Sequence, residues 1–352
     1  MTVGINCLWI HDIFARIIFP VTVEGGSELI YPQEQCDSPV NRKQGLLKKR
    51  ARVYKPAPLR RGGRIGVVAP AGWVESEELA AGLAAIREQC FEVELAPGIH
   101  ERKGYLAGSG EIRAQDLSVF FLRDDIDAVF CARGGFGSVQ LLPFLDAEIR
   151  RHPKIFCGYS DITILLNWFL QDFGLVTFHA PMVAMDLARG LSDQAKEHFW
   201  EILTGEKKTW SVQLSEAVRS GKCAAPLLGG CLSLLVTTLG TPYEIDTRGK
   251  ILFLEDVGEK PYRVERMLIH LKLAGKFDGL AGLVFGDFTQ CDGEGPRDVG
   301  TVIAEMFYDA PFPVVMGMAA GHGAENLALP LGVAMLLDGD AGTLSLLESP
   351  VR

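Results

Sequence analysis

Several common signatures of function are missing from this sequence of 352 residues. Its eight cysteines include no Cys-x-x-Cys pair, so we expect no disulfide framework and a reducing compartment, the cytoplasm. No His-Glu-x-x-His motif and no zinc-like spacing of His, Cys and carboxylate residues occur, so neither a metal nor another cofactor is expected. The classes of function still open are catalysis by side chains alone and binding without catalysis.

The sequence also contains no long apolar run, and the chain after residue 61 is not basic. No run of 18 apolar residues occurs, and the apolar segment 5–23 is interrupted by His11, Asp12 and Arg16, which argues against a transmembrane helix and a signal peptide. The net charge is −9, and the basic residues concentrate before residue 62. Because the rest of the chain is acidic, we expect neither nucleic acid nor a membrane as partner.

Apolar segments of strand length alternate with segments of helical periodicity from residue 64 to about 180. Most of these strands are apolar on both faces, which is typical of a parallel sheet covered by helices. Beyond about residue 185 glycine becomes more frequent and the strands shorter, which predicts a second α+β domain with a barrel-like or mixed sheet. The predicted organisation is a poorly ordered extension (1–61), an α/β domain (62–185), a crossover linker (186–225) and an α+β domain (226–352).

A candidate nucleophile lies in the turn Gly158-Tyr159-Ser160-Asp161, between an apolar strand and the apolar run 162–173. A strand, a Gly-x-Ser turn and a helix together have the form of a nucleophile elbow, although Ile162 replaces the second glycine of that motif. The alternative is that Ser160 or Asp161 only caps the helix.

A serine nucleophile needs a base and an acid that holds the base. Among seven histidines, His322 lies between two glycines on a predicted loop, where a substrate could approach; a loop histidine without a role is the alternative. His179 follows a buried strand and could be a hydrogen-bonded core histidine or one that contacts a catalytic side chain from behind. Glu255 ends a predicted strand, where α/β folds bind ligands, whereas Glu259 suits the start of the following helix.

The segment Arg133-Gly134-Gly135-Phe136-Gly137 follows another predicted strand. Gln140 occupies the place of the third glycine of Gly-x-Gly-x-x-Gly, so a dinucleotide loop is not predicted. The N–H groups of this turn could instead face an oxyanion. Arg133 could bind a carboxylate or form a structural ion pair.

These segments resemble the LD-carboxypeptidases, a serine peptidase family that includes the murein tetrapeptide carboxypeptidase and the microcin C immunity peptidase. The resemblance runs from about residue 64 to residue 347, and residues 1–61 have no counterpart. The shared motifs, in chain order, include Ile65-Gly-Val-Val-Ala-Pro70, Gly104-Tyr-Leu-Ala-Gly108, Ala132-Arg-Gly-Gly-Phe-Gly137, Gly158-Tyr-Ser-Asp-Ile-Thr163, His179-Ala-Pro-Met182, Leu254-Glu-Asp-Val-Gly-Glu259, Gly286-Asp-Phe-Thr289 and Gly321-His322.

The resemblance implies roles for particular residues. Ser160 would be the nucleophile, His322 the general base and Glu255 the acid that orients it. The oxyanion hole would come from the N–H groups of Asp161 and of the turn at Gly134 and Gly135. Independently of the resemblance, the position of Arg133 and Gly134 in the glycine turn suggests contact with the substrate, whose free carboxylate Arg133 or another cation would hold.

The resemblance also implies an architecture and a substrate. The expected fold is a flavodoxin- or Rossmann-like N-terminal domain with a smaller β-rich C-terminal domain, in a homodimer without metal. The expected activity is removal of the terminal D-Ala from murein tetrapeptides in the cytoplasm, as part of peptidoglycan recycling. A microcin C-type peptidyl-nucleotide peptidase is the main alternative, although residues 184–226 contain no aromatic-rich insertion for a nucleotide. A non-catalytic α/β binding protein is the other alternative.

Overall fold

The computed structural model describes residues 53–293 and 295–352. Most of the predicted extension, 1–61, therefore lies outside the described residues. Its last part, 53–61, is not poorly ordered but contacts the body: Leu59 is buried, and its N–H donates to the carbonyl of Leu203. Among the described residues, no helix is both long and apolar enough to span a bilayer.

The first sheet confirms the predicted parallel α/β architecture. Numbered in chain order, its strands are β1 (Arg64–Val68), β2 (Glu92–Leu95), β3 (Ala128–Cys131), β4 (Ile155–Gly158), β5 (Thr177–His179) and β12 (Leu329–Leu331). The spatial order is β12-β5-β4-β3-β1-β2, in which β1 to β5 are parallel and β12 pairs antiparallel with β5. The helices of this part are α1 (Ser76–Glu88), α2 (Gly110–Leu122), α3 (Thr163–Trp168) and α4 (Asp193–Thr204).

The apolar composition of these strands explains their position. Every residue of β3 and β4 is buried, as expected for central strands with helices on both faces. On β1, a Cβ at Gly66 would lie 2.4 Å from the ring of Phe120, so glycine is needed for α2 to pack this closely on the sheet. The first sheet therefore forms a rigid support whose strand ends carry the loops described below.

The second sheet is mixed, which is one of the two predicted alternatives. Its strands are β6 (Trp210–Gln213), β7 (Glu216–Arg219), β8 (Lys222–Cys231), β9 (Ile251–Val257), β10 (Gly282–Thr289), β11 (Val314–Met316), β13 (Ala334–Asp338) and β14 (Thr343–Leu346), in the order β6-β14-β13-β8-β9-β10-β11-β7. Strands β8 to β11 are parallel, and the outer strands pair antiparallel. The helices here are α5 (Leu232–Thr237), α6 (Pro261–Leu273) and α7 (Val299–Phe307).

Three differences from the sequence prediction concern short elements. Residues 186–225, predicted as a linker, contain α4, β6, β7 and the start of β8. The predicted helix 162–173 is divided into a 3-10 turn, α3 and a π-turn, and β12 was not predicted. Strands of three or four residues show too few alternations for a period to be recognised, and β6 and β7 are both edge strands.

Candidate active site

Ser160 follows the carboxyl end of β4 in a left-handed backbone conformation, with φ of +60°. This conformation is costly for a residue with a side chain, and such strain is concentrated at functional positions. A Cβ at Gly158 would lie 2.9 Å from Ile162, so glycine allows the Ile162 side chain to pack this closely on the end of the strand. Neither Ser160 nor Asp161 caps the helix with its side chain, so the capping alternative is not what the structure shows.

The glycine loop after β3 packs directly on this serine. A Cβ at Gly134 would lie 2.9 Å from the Cβ and 3.1 Å from the Oγ of Ser160. The carbonyl of Gly134 accepts a hydrogen bond from the N–H of Gly72 over 3.0 Å. In a trans peptide the next N–H points the opposite way, so the Gly135 amide faces away from Gly72. Within the described ranges, neither the amide of Gly135 nor that of Asp161 is a donor in the backbone hydrogen bonds formed outside helices and strands.

The carboxylate of Asp161 holds the far end of the same loop. Its Oδ2 accepts a hydrogen bond from the N–H of Ser138 over 2.7 Å, and the Ser138 hydroxyl donates to the Asp161 carbonyl over 2.6 Å. Burial raises the pKa of Asp161, while the bonds from Ser138 and Gly137 and the charge of Arg113 oppose this rise. The loop and the serine turn are thus fixed to each other by side-chain and backbone bonds.

Arg113, which the sequence analysis overlooked, is a buried cation beneath this loop. It is 1% exposed, and its Nη1 donates to the carbonyls of Pro70 and Gly137 over 2.6 and 2.8 Å. Burial lowers its pKa, while the charge of Asp161 acts to raise it. Arg113 lies four residues before Leu117 on α2, and therefore on the same, buried face of the helix. This helical spacing is the sequence signal that could have identified Arg113.

The side chains of Glu255 and His322 are joined by a hydrogen bond. The His322 Nδ1–H donates to Oε2 of Glu255 over 2.7 Å, and Glu255 is fully buried in β9. A Cβ at Gly321 would lie 2.4 Å from Oε2, and Gly321 has φ of +114°, so glycine is required for the close approach. With Nδ1 engaged as the donor, Nε2 of the neutral ring is the acceptor.

The electrostatics of this pair follow from burial and charge. Burial acts to lower the pKa of His322, but the hydrogen bond and charge of Glu255, with the charges of Asp256 and Asp186, outweigh it and the pKa is raised. Burial raises the pKa of Glu255, opposed mainly by the hydrogen bond from His322. A buried carboxylate of this kind stabilises an imidazolium when the ring takes up a proton.

Helix α3 connects the serine turn to the strand beside Glu255. Thr163 Oγ1 accepts a hydrogen bond from the N–H of Cys231 over 3.1 Å, and Cys231 is the register partner of Glu255 on β9. Asn167 both donates to and accepts from the backbone of Gly229, over 2.9 and 3.0 Å. These bonds place the carboxyl ends of β4 and β9 at one site.

Tyr159 contacts the histidine from the serine side. Its ring lies edge-on to His322, with centroids 5.0 Å apart, and its hydroxyl donates to Oδ1 of Asp186 over 3.3 Å. Tyr159 and Asp186 were both overlooked in the sequence analysis. Among the described residues no hydrogen bond joins Ser160 to His322, and catalytic hydrogen bonds are often long before substrate binds.

His179 is a core histidine. It is fully buried at the end of β5, and neither ring nitrogen has a hydrogen-bond partner in the described part of the chain. Burial lowers its pKa to about 3, so the ring is neutral at physiological pH. It packs against Tyr159 and Phe253, with centroid distances of 5.7 and 5.1 Å.

Arg133 lies beside the glycine loop with most of its hydrogen-bonding capacity unused. Its Nη1 donates weakly to the carbonyl of Trp73 over 3.4 Å, and none of the described carboxylates forms an ion pair with it. The described residues also contain no group of three or more His, Cys, Asp or Glu side chains placed to hold a metal ion.

Comparison with known proteins identifies the family of this chain. The model of the LD-carboxypeptidase N-terminal domain matches residues 65–180, and that of the C-terminal domain matches residues 224–337. The chain belongs to the LD-carboxypeptidase family. It is therefore a hydrolase, a serine-type carboxypeptidase.

Three relatives illustrate the range of this family. A Bacillus subtilis protein named probable murein peptide carboxypeptidase is 40% identical over 288 residues, covering 79% of this chain and 90% of the relative. The crystal structure of a muramoyltetrapeptide carboxypeptidase from Oxalobacter formigenes is 31% identical, with a TM-score of 0.74 over 80% of this chain and 97% of that one. The microcin immunity protein MccF, in complex with glutamyl sulfamoyl guanosine, is 26% identical, with a TM-score of 0.78 over 85% and 99%.

Proposed function

We propose that this protein is a serine LD-carboxypeptidase that releases the terminal D-Ala from murein tetrapeptides, with Ser160, His322 and Glu255 as its catalytic triad. The hydrogen bond of 2.7 Å between His322 and the buried Glu255 carries the proposal. It leaves one imidazole nitrogen free to accept a proton, and Tyr159 places that ring beside the turn that bears Ser160.

The proposed reaction is acyl transfer to serine followed by hydrolysis. Ser160 Oγ attacks the carbonyl carbon of the peptide bond before D-Ala, and His322 Nε2 takes up the hydroxyl proton. The negative oxygen that develops is stabilised by the N–H groups of Asp161 and Gly135. His322 then protonates the amine of D-Ala, which leaves, and water hydrolyses the acyl-enzyme with His322 again as base.

The substrate's terminal carboxylate needs a cation close to the serine. Arg133 precedes Gly134, which packs on Ser160, and its guanidinium is not engaged by a described acid. We assign Arg133 to this carboxylate, and Gly134 to the close approach of the peptide backbone. This contact would explain a preference for cleaving at a free C-terminus.

A murein peptide is the favoured substrate, and a peptidyl nucleotide is the second candidate. Support for murein comes from the relative of 40% identity that carries this name. Support for the nucleotide comes from the TM-score of 0.78 to MccF, against 0.74 to the muramoyltetrapeptide enzyme. No described residue in 186–226 is an exposed aromatic side chain on which a nucleobase could stack, and we therefore prefer murein.

The cellular setting is part of the proposal. The six cysteines in the described part of the chain are free, which supports a reducing compartment such as the cytoplasm and hence peptidoglycan recycling. We also propose a homodimer, on the basis of the family resemblance. Sedimentation analysis of the purified protein would test the oligomeric state.

The test of the function is D-Ala release from murein tetrapeptide by wild type and by Ser160→Ala. We expect the variant to lose activity by about 10⁴-fold or more. Ser211→Ala is the matched control, because Ser211 is an exposed residue of the edge strand β6. Undiminished release by Ser160→Ala would refute the triad, and a non-catalytic protein would release no D-Ala at all. Turnover of a peptidyl nucleotide, measured side by side, separates the two substrates.

A further inference from the structure

Asp186 is a carboxylate next to the serine turn that the proposed reaction does not use. It belongs to a single π-helical turn, Val183–Leu187, which follows β5. Its Oδ1 accepts a hydrogen bond from the hydroxyl of Tyr159 over 3.3 Å, and its Oδ2 accepts one from the N–H of Met182 over 3.0 Å. Because both oxygens accept a hydrogen bond, the carboxylate is fixed in orientation.

The turn that carries Asp186 is held in place from two sides. The N–H of Ala184 donates to the carbonyl of Ala132 over 2.9 Å, directly after β3, where the glycine loop begins. A Cβ at Gly82 of α1 would lie 1.9 Å from the carbonyl oxygen of Val183, so glycine allows α1 to pack directly on the turn. A carboxylate on such a support can fix the position of its neighbours.

Tyr159 connects Asp186 to the imidazole of His322. Its side chain is buried, and its ring lies edge-on to the His322 ring with centroids 5.0 Å apart. The backbone of Tyr159 is part of the serine turn, directly before Ser160. The tyrosine ring is therefore fixed at its backbone end by that turn and at its hydroxyl end by Asp186, and it gives the imidazole a neighbour in a defined position.

Asn326 connects the same carboxylate to the backbone of the histidine loop. Its Oδ1 accepts a hydrogen bond from the N–H of Gly321, directly before His322, over 3.0 Å. Its amide nitrogen is buried and has no partner at hydrogen-bond distance among the described residues. Burial raises the pKa of Asp186, and this amide is among the donors that oppose the rise, so it lies close to the carboxylate. Asp186 therefore acts on the ring of His322 through Tyr159 and on its backbone through Asn326.

Charged and titratable groups from four elements act on the His322 ring. They are Glu255 and Asp256 of β9, Tyr159 of the serine turn, His179 of β5 and Asp186 of the turn Val183–Leu187. Burial acts to lower the pKa of His322, but Glu255 most strongly, and then Asp256 and Asp186, raise it. Burial keeps the other two groups neutral, because it lowers the pKa of His179 to about 3 and raises the pKa of Tyr159. The carboxylates therefore set the charge around the imidazole, and Asp186 is the one that does not come from β9.

We infer that Asp186 is a positioning residue for the proposed reaction. It holds the His322 ring beside the serine turn through Tyr159 and Asn326, and its charge stabilises the imidazolium that forms when the ring takes up the serine proton. Glu255 determines which ring nitrogen carries the proton, whereas Asp186 fixes the surroundings of the ring. The inference rests on the proposed function and adds a second carboxylate to it.

The test is the pH dependence of D-Ala release from murein tetrapeptide by wild type and by Asp186→Asn, from about pH 5 to pH 9. Asparagine has nearly the same shape and can still accept a bond from the N–H of Met182, but it carries no charge. We expect kcat to fall about 10-fold, the effect of one charge-assisted hydrogen bond, with KM nearly unchanged. The raised pKa of His322 should decrease when a negative charge is removed, so the acidic limb of kcat/KM should move to lower pH.

Tyr159→Phe breaks the contact with Asp186 from the other side and keeps the carboxylate. Asp186→Asn should therefore lower kcat less when it is added to Tyr159→Phe than when it is made in wild type. Two losses that simply multiply would overturn the inference. If Asp186→Asn does not fold, Tyr159→Phe decides alone, because wild-type kcat in that variant would overturn the inference as well.

Asp309→Asn is the control, because Asp309 is an exposed residue after α7 and should leave kcat and the pH profile unchanged. An acidic limb that stays in place in Asp186→Asn would overturn the inference, and so would a lower melting temperature with unchanged kcat, which indicates a structural carboxylate. Both results would leave the proposed function standing, because D-Ala is still released. If wild type released no D-Ala, the proposed function itself would be refuted, and the inference with it.

Discussion

Replacing Glu255 with glutamine separates charge from shape at the candidate active site. Glutamine fills the same volume and can still accept the bond from His322, but it carries no charge. The wild-type carboxylate is fully buried and lies 2.7 Å from Nδ1, so its charge acts on the imidazolium with little screening. We expect kcat/KM to fall about 10⁴-fold, which corresponds to roughly 5 kcal/mol of barrier.

The pH profile of Glu255→Gln should shift in a direction that follows from the structure. His322 must be neutral to accept the serine proton, so wild-type kcat/KM falls as the pH drops through the raised pKa of this histidine. In the variant, the charge of Glu255 that raises this pKa is lost, while the burial that lowers it remains. The acidic limb should therefore move to lower pH even as the rate decreases.

The assay is D-Ala release from murein tetrapeptide, followed from about pH 5 to pH 9 so that the histidine titration is spanned. Glu259→Gln provides the control, because Glu259 lies 3.6 Å from Arg263 and makes no described contact with His322. An acidic limb that stays in place or moves to higher pH would contradict the assigned role. A loss of less than about 10-fold would do the same.

Three further substitutions test other parts of the site. Gly134→Ala should lower kcat about 100-fold in the tetrapeptide assay, because the new methyl group meets Ser160 at 2.9 Å and displaces the nucleophile. Tyr159→Phe should keep the ring contact but lose the bond to Asp186, so we expect a several-fold fall in kcat and a small shift of the acidic limb. Lys154→Met should lower the melting temperature and leave kcat unchanged, because the backbone carbonyls of Arg123 and Ile126, one half-buried and one buried, lose their donor, at a cost of about 1–3 kcal/mol.

Controls for these substitutions come from the same fold. Gly300→Ala introduces the same methyl group in α7, where its nearest neighbour would be 3.6 Å away, and should leave activity intact. Full activity in Gly134→Ala would mean that the glycine loop does not constrain the serine. Loss of activity without loss of stability in Lys154→Met would contradict a purely structural role for that lysine.

Much of the first sheet was predictable because its strands are short apolar runs that lie between segments with clear helical periodicity. The alternation of apolar strand-length segments with helical ones predicted a parallel sheet, and β1 to β5 are parallel. The candidate triad was also accessible, since Glu255 ends an apolar strand and His322 lies between glycines. The role assignments came from the family resemblance, and they remain proposals until the variants are measured.

The interactions that complete the site were not predictable in the same way. Arg113 is a buried cation on a helix face that would ordinarily be apolar, and Asp186 reaches Tyr159 across 27 residues of chain. The pairing of Thr163 with Cys231 joins residues 68 positions apart. Helical spacing places Arg113 on the buried face of α2, but the partners in all three contacts depend on packing between distant elements, which a local pattern of hydrophobicity does not give.

The sequence by itself determined the alternation of strands and helices, the family, and a serine in a Gly-x-Ser turn, because each depends on neighbouring residues or on motif order. Only the tertiary structure showed that Ser160 has a strained backbone conformation and does not cap the helix with its side chain. Only the tertiary structure brings Glu255 within 2.7 Å of His322. The physical reason is that β4 and β9 belong to different sheets. Their carboxyl ends are brought together by the hydrogen bonds between α3, which follows β4, and β8, the neighbour of β9.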